Sequence, residues 1–245
     1  MPTRWFVPIP GLDPTRVKLE HVHAVATGWF DRTLLEHRAG EKPYAVSPPT
    51  RDDRGIPGVE VVTMTEEAGA RLAAATAGHP EIRLGNQWRR LGVPHLVHHD
   101  DWESLAAPGA MTAWRIDLAT PTTFRCGNRS SPLPSVESLT RGAGTAWERW
   151  SCMPLPDGGG KTLWVSDLDL RSDVVPLVVK GADGAPRQVV ISASVGWLVV
   201  RHDPADQAAS ALVRTTAYSG VGGMTLKGLG VARVTALGGR HAHAG

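Results

Sequence analysis

The sequence predicts an α+β protein built from two tandem ferredoxin-like βαββαβ domains, over residues 1–107 and 108–237, with a flexible tail at 238–245. The first observation behind this is an order of strand, helix, two strands, helix, strand, which occurs twice along the chain. The second is length: 245 residues, 42% of them apolar, suit two domains of about 110–130 residues each. The halves share element order only; no sequence identity between them is visible.

In the first half, residues 4–9 form a short apolar strand ended by Pro10-Gly11. Asp13 before Pro14 predicts a capped helix over 14–28, closed by Gly28. Asp31 predicts the cap of a shorter helix running to about His37. Strands follow at 44–47 and 59–63, the second rich in β-branched residues. Thr65-Glu66-Glu67 opens a helix that packs Leu72 and Ala75 inward and stops at Gly78. Residues 81–84 and 87–93 predict the closing strand or a hairpin. Residues 94–109 are polar, rich in His and Asp, and predict an interdomain linker or a short helix.

The second half repeats the order with longer elements. A strand is predicted at 111–119, a helix over 135–150, strands at 163–170, 174–180 and 188–200, a helix from 204 to about 218, and a last strand at 230–237. Trp164 and Trp197 lie within apolar strands, which predicts core or interdomain packing for both.

Composition excludes several classes. No apolar run approaches the roughly 18–20 residues of a membrane span. Met1-Pro2-Thr3-Arg4-Trp5 lacks the basic start and apolar core of a secretory signal. Cys126 and Cys152 have no metal-type spacing and point to a reducing, cytoplasmic setting. Charge is uneven: residues 1–107 hold 12 Lys/Arg and 14 Asp/Glu, and residues 108–245 hold 14 and 10. A basic second half suits a polyanion, although many proteins of that charge bind none.

The most specific motif is Gly220-Val221-Gly222-Gly223-Met224-Thr225-Leu226-Lys227-Gly228-Leu229-Gly230. Glycines there permit positive φ and let backbone N–H groups approach an anion, with Lys227 able to reach a phosphate. A tight connection would use the same glycines. The segment is no P-loop, since the Gly-Lys-Ser/Thr ending is missing and it runs from helix to strand. It is no dinucleotide fingerprint either.

Three blocks together resemble the CRISPR-associated endoribonucleases that cut repeat RNA, the Cas-six family of the RAMP superfamily. They are Ala217-Tyr218-Ser219-Gly220-Val221-Gly222 with Thr225 and Gly228-Leu229-Gly230; Thr120-Pro121-Thr122-Thr123-Phe124-Arg125 with Leu133-Pro134 and a helix ending in Trp147; and Val195-Gly196-Trp197. They cover most of residues 110–237. The first half matches in element order and in a His-containing segment after the first helix. The resemblance implies two ferredoxin-like domains, binding of CRISPR repeat RNA, and cutting of the precursor without metal or cofactor. The 2′-hydroxyl beside the scissile phosphate attacks, leaving a 2′,3′-cyclic phosphate and a 5′-hydroxyl. The alternative it implies is a non-catalytic RNA-binding subunit of a CRISPR effector complex; retention in such a complex and a homodimer are both compatible with it.

That reaction needs a base, an acid and a cation at the phosphate. By the family's pattern His37, a few residues before a strand, is the lead catalytic residue; Lys42 is the phosphate-stabilising cation and Tyr44 a hydrogen-bond partner. A histidine at a helix C-terminus is also explained by the helix dipole. His21 and His23 lie about 200° apart on the first helix and cannot share a face. Either is a candidate second proton-transfer group, and His21 is expected to pack further inward. Relatives often carry a tyrosine in this region, where this chain has Trp29 and Phe30, so the second group stays open.

His95, His98, His99, Asp100 and Asp101 would suit a transition metal if helical, and a metal-dependent hydrolase is the rival they suggest. Pro94 and the lack of a second ligand cluster favour a solvated linker. His241 and His243 fall in the tail, and Asp167 and Asp169 alternate on a solvated strand face. For RNA, Arg125 and Arg129 flank a loop where they can clamp phosphate or stack on a base, beside Gly220, Gly222, Lys227, Gly228 and Gly230.

Overall fold

A computed structural model describes residues 1–127, 129–180 and 185–238. The chain divides into two compact units: Met1–Trp102 with Thr225–Leu229, and Glu103–Met224 with the segment from Gly230 onward. The division falls at Trp102–Glu103, not at 107–108. Five residues of the glycine-rich segment, Lys227 among them, therefore belong to the first unit. Asn128 and the tail residues His241 and His243 lie outside the described residues.

The first unit comprises β1 (Thr3–Pro8), α1 (Leu19–Phe30), α2 (Leu34–Arg38), β2 (Tyr44–Val46), β3 (Thr50–Arg51), β4 (Pro57–Thr63), α3 (Glu66–Gly78), β5 (Glu81–Leu84), β6 (Gln87–Arg90) and β7 (His95–His99). Its main sheet has the order β2-β4-β1-β7 with β3 added to β4, and every pair is antiparallel. With α1 and α3 as the two helices, this is the ferredoxin-like order. Alternate strand residues Val7, Val59 and Val61 meet Val22, Ala26, Trp29 and Phe30 of α1 and Ala68 and Leu72 of α3. Burying each of the larger side chains contributes about 1.5–3 kcal/mol.

Two expectations for this half change, and of the two alternatives for residues 81–93 the hairpin holds. Asp13 caps only a three-residue 3₁₀ turn, Pro14–Arg16, because Val17 and Lys18 are extended; α1 starts at Leu19 and runs past Gly28 to Phe30, where Trp29 and Phe30 enter the core. Residues 81–90 form a separate two-stranded hairpin, β5 with β6. The closing strand is β7, inside the segment expected to be a linker or a short helix; the short helix follows it at Trp102–Ala106. All five residues of β7 are exposed at a sheet edge, so it carries no alternation to read, and its pairing with β1 defines it.

The second unit follows the helix α4 (Trp102–Ala106), which spans the division. It comprises β8 (Ala113–Thr122), β9 (Phe124–Cys126), β10 (Arg129–Ser131), α5 (Val136–Trp150), β11 (Trp164–Lys180), β12 (Pro186–Arg201), α6 (Gln207–Ser219) and β13 (Ala232–Ala236). Its sheet order, β11-β12-β8-β13, is again ferredoxin-like and antiparallel. Leu139 of α5 and Ala209 and Val213 of α6 cover Ile116, Leu118, Leu198 and Val200. The two strands expected at 163–170 and 174–180 are one, because the polar run Arg171-Ser172-Asp173 stays paired with β12 throughout. Trp164 is 44% exposed on edge strand β11, and Trp197 is half-buried beneath the Arg115 guanidinium, 4.5 Å from its ring centre. Neither is a core residue; Trp147, 1% exposed, is. Among the described residues no helix is long and apolar enough to cross a membrane.

Candidate active site

In the first unit three side chains converge on one carboxylate. Helix α1 ends when the Asp31 N–H bonds the Thr27 carbonyl. Thr33, not Asp31, then caps α2: its hydroxyl accepts the Glu36 N–H, and the Glu36 carboxylate accepts the N–H groups of Thr33 and Arg32. The Arg71 guanidinium, with those N–H groups, holds the Glu36 carboxyl below the usual carboxylate range. Asp31 is thereby released from capping, and its side chain is only 5% exposed.

Asp31 Oδ2 accepts from Lys42 Nζ at 2.5 Å and from His37 Nδ1 at 3.2 Å, and Oδ1 accepts from Tyr44 Oη at 3.0 Å. Tyr44 is 2% exposed and stacks on Phe30, 4.1 Å between ring centres. Burial first, and the Asp31 charge second, push its phenol far above the usual range. It is a fixed donor. His37 differs: its side chain is 57% exposed, and with Nδ1 donating to a carboxylate its Nε2 is the ring nitrogen left for proton exchange.

Lys42 does not stand where a free phosphate-binding cation would. Its side chain is 5% exposed, and its ammonium donates to Asp31 and to the carbonyls of Glu36 and His37. All three donors are engaged. Likewise Tyr44 reaches Asp31, while His37 reaches the same carboxylate by its own bond.

A second histidine of the first unit, His23, feels the charges of Asp31 and Lys42. Its Nδ1 lies 2.9 Å from the Leu226 carbonyl, an obligate acceptor, so this nitrogen carries the proton and Nε2 the lone pair. Burial lowers its pKa from the ordinary value against the opposing Leu226 bond, and the charges of Lys227 and Lys42 lower it further. His23 is thus held neutral, with Lys227 near it. His21 points elsewhere: because α1 starts at Leu19, it falls in the first turn, accepts the Lys18 N–H at 3.2 Å and abuts Gly85. Both histidines are of intermediate burial, and His23 is the one that feels the charges of Asp31 and Lys42.

The glycine-rich segment serves the fold more than an anion. The N–H groups of Gly220, Val221, Gly223, Gly228 and Gly230 bond the carbonyls of Thr216, Gly230, Thr123, Thr225 and Pro121. At Gly222, with φ +76°, a Cβ would lie 2.4 Å from the Thr123 carbonyl oxygen. Glycine is required there because backbone passes against backbone. The N–H groups of Gly220, Gly228 and Gly230 are thus spent on carbonyls of the chain, and Gly228 packs on Pro48 and Val46.

Arg125 and Arg129 lie on the β9–β10 ribbon of the second unit, both exposed. The Arg125 Nε donates to the Gly127 carbonyl. His95, His98 and His99 lie on edge strand β7, with His98 3.4 Å from Asp100. Among the described residues no three His, Cys, Asp or Glu side chains assemble into a metal-binding group.

Asp31 is the residue that sequence reasoning missed as part of a site. Thr33-Leu34-Leu35-Glu36 already spells a capping box, which leaves a nearby Asp without a capping task. That redundancy was the available signal.

No protein-family model and no curated protein matches the sequence. Solved structures match along nearly all of it. A Cas6 product complex is 21% identical with a TM-score of 0.77, over 96% of this chain and 99% of that one. A second Cas6 product complex is 23% identical with a TM-score of 0.75, over 96% and 100%. Thermus thermophilus Cas6 is 19% identical with a TM-score of 0.68, over 96% and 98%. The fold is that of the Cas6 structures. The tandem ferredoxin-like reading, and the resemblance drawn from the three sequence blocks, agree with this Cas6 fold.

Proposed function

We propose that the protein belongs to the Cas-six family and is an endoribonuclease that cuts CRISPR repeat RNA. The observation that carries this reading is a pair of histidines in one unit, His37 and His23. Each is fixed through a donating Nδ1, leaving Nε2 for proton transfer. The matched Cas6 structures support it, since they include product complexes, a substrate mimic complex and a form with a histidine replaced by alanine.

His23, held neutral by burial, takes the proton of the 2′-hydroxyl. The O2′–P bond forms as the P–O5′ bond breaks, and protonated His37 gives its proton to O5′. The products are a 2′,3′-cyclic phosphate and a 5′-hydroxyl. Lys227, beside His23, takes the place expected of Lys42 as the cation facing the phosphate. Arg125 and Arg129 contribute RNA contacts from the second unit.

The test is incubation with CRISPR repeat RNA in EDTA, beside an RNA carrying a 2′-deoxy nucleotide at the scissile position. The expected result is a single cut with a cyclic-phosphate end, abolished by the deoxy substitution. Binding without cleavage would favour the effector-subunit reading, and cleavage only when metal is supplied would overturn the mechanism.

A further inference from the structure

We propose that Asp31 is the positioning residue for His37, and that Lys42 and Tyr44 act through it. The inference deepens the proposed function and rests on it for its catalytic consequence, though not for its structural one.

Helix α2 has five residues, none of them buried, and Leu34 and Leu35 on it are 73% and 83% exposed. A helix so short is marginal without tertiary support, and packing of its own side chains supplies none. Polar bonds hold it instead. The Thr33–Glu36 box and Arg71 fix its start. Its last carbonyls, those of Glu36 and His37, receive the Lys42 ammonium, which also donates to Asp31.

Lys42 therefore ties the backbone that carries His37 to the carboxylate that holds the His37 ring. Tyr44, stacked on Phe30 in the core, fixes the other oxygen of that carboxylate. The result is an exposed imidazole on an unpacked turn whose position and tautomer both trace to one buried Asp. The charged and titratable groups facing Asp31 are Lys42, Tyr44 and His37, with Glu36 and Arg71 behind α2 and His23 feeling its charge.

A purely structural role for Asp31, as the counter-ion of buried Lys42, would leave the His37 ring free to choose its tautomer. The test is ring-nitrogen NMR of the free protein, together with single-turnover cleavage of repeat RNA. In wild-type protein the His37 ring is expected with its proton on Nδ1; a proton on Nε2 would overturn the proposal without any variant. Asp31→Asn is combined with Lys42→Met so that no unpaired ammonium is left buried. In that variant the Nδ1–H preference is expected to disappear, with cleavage slowed about 10- to 100-fold while RNA affinity stays within about twofold. An unchanged His37 tautomer in the folded double variant would assign Asp31 to structure alone. Tyr44→Phe, which keeps the carboxylate, is expected to retain the tautomer with a smaller loss of rate. Because the tautomer is read without RNA, a protein that binds repeat RNA but leaves it intact would sink the proposed function and still decide this inference.

Discussion

Asp31 in the first unit and Asp206 in the second are both buried carboxylates beside helix ends, yet their partners differ in kind. Asp206 is 2% exposed and accepts from the N–H groups of Gly160, Thr162 and Ala209 and from the Thr162 hydroxyl. Burial acts to raise its pKa, but those bonds outweigh it and hold the carboxyl below its ordinary value. The glycine turn at 158–160, with positive φ at all three residues, passes close against this carboxylate: a Cβ on Gly158 would lie 2.3 Å from Asp206 Oδ1. Asp31 instead binds three side chains, and one of them, His37, reaches solvent. A carboxylate whose partners are backbone amides closes a fold; one that spends its bonds on titratable side chains builds a site.

Substitutions should separate the two carboxylates. The largest effect is expected for His37→Ala, which should slow cleavage about 10²- to 10⁴-fold with unchanged RNA affinity and unchanged urea midpoint. Asp206→Ala should do the reverse: a loss of roughly 2–4 kcal/mol in urea unfolding, from the lost cap and orphaned amides, with normal single-turnover rates below its melting transition. This contribution is fully present above the unfolded carboxylate pKa of about 3.9 and disappears as pH falls through the lower folded value. Wild-type and variant stabilities should therefore converge only in acid below about pH 4.

Gly222→Ala sharpens the same contrast within the glycine-rich segment. Strain against the Thr123 carbonyl should lower stability by about 1–3 kcal/mol, read as a lowered melting temperature, while the salt dependence of RNA binding stays as in wild type. Lys227→Ala should leave stability alone and reduce the slope of log affinity against log salt by about 1. The smallest expected effect concerns His23. Its folded pKa is depressed, so the unfolded chain binds more protons and stability falls as pH drops below about 6.5. His23→Gln should flatten that part of the stability curve.

The sequence made the architecture legible where apolar periodicity met clear punctuation. Thr65 and Ser135 mark helices that begin where expected, and Val59–Val61 lies on a core strand of the first sheet. Legibility failed where backbone pairing alone decides. Strand β7 has no buried face, and β11 continues through Arg171-Ser172-Asp173 because its partner strand does. At the site, His37, Lys42 and Tyr44 were readable as a local group, and the structure brings all three to Asp31. Which way Lys42 turns is set by burial and by the carbonyls at the end of α2, features that spacing does not encode. The bond between His23 and the Leu226 carbonyl joins residues 203 positions apart, and no local pattern announces it.

The most direct measurement of the assigned roles uses a repeat RNA in which sulfur replaces the bridging O5′ at the scissile bond. A thiolate leaves without protonation, so a missing general acid no longer matters. With His37 as the acid, the His37→Ala variant should cleave this RNA at nearly the wild-type rate, while His23→Ala stays slow. Rescue of His23→Ala with His37→Ala left inactive would contradict the account and exchange the two histidines.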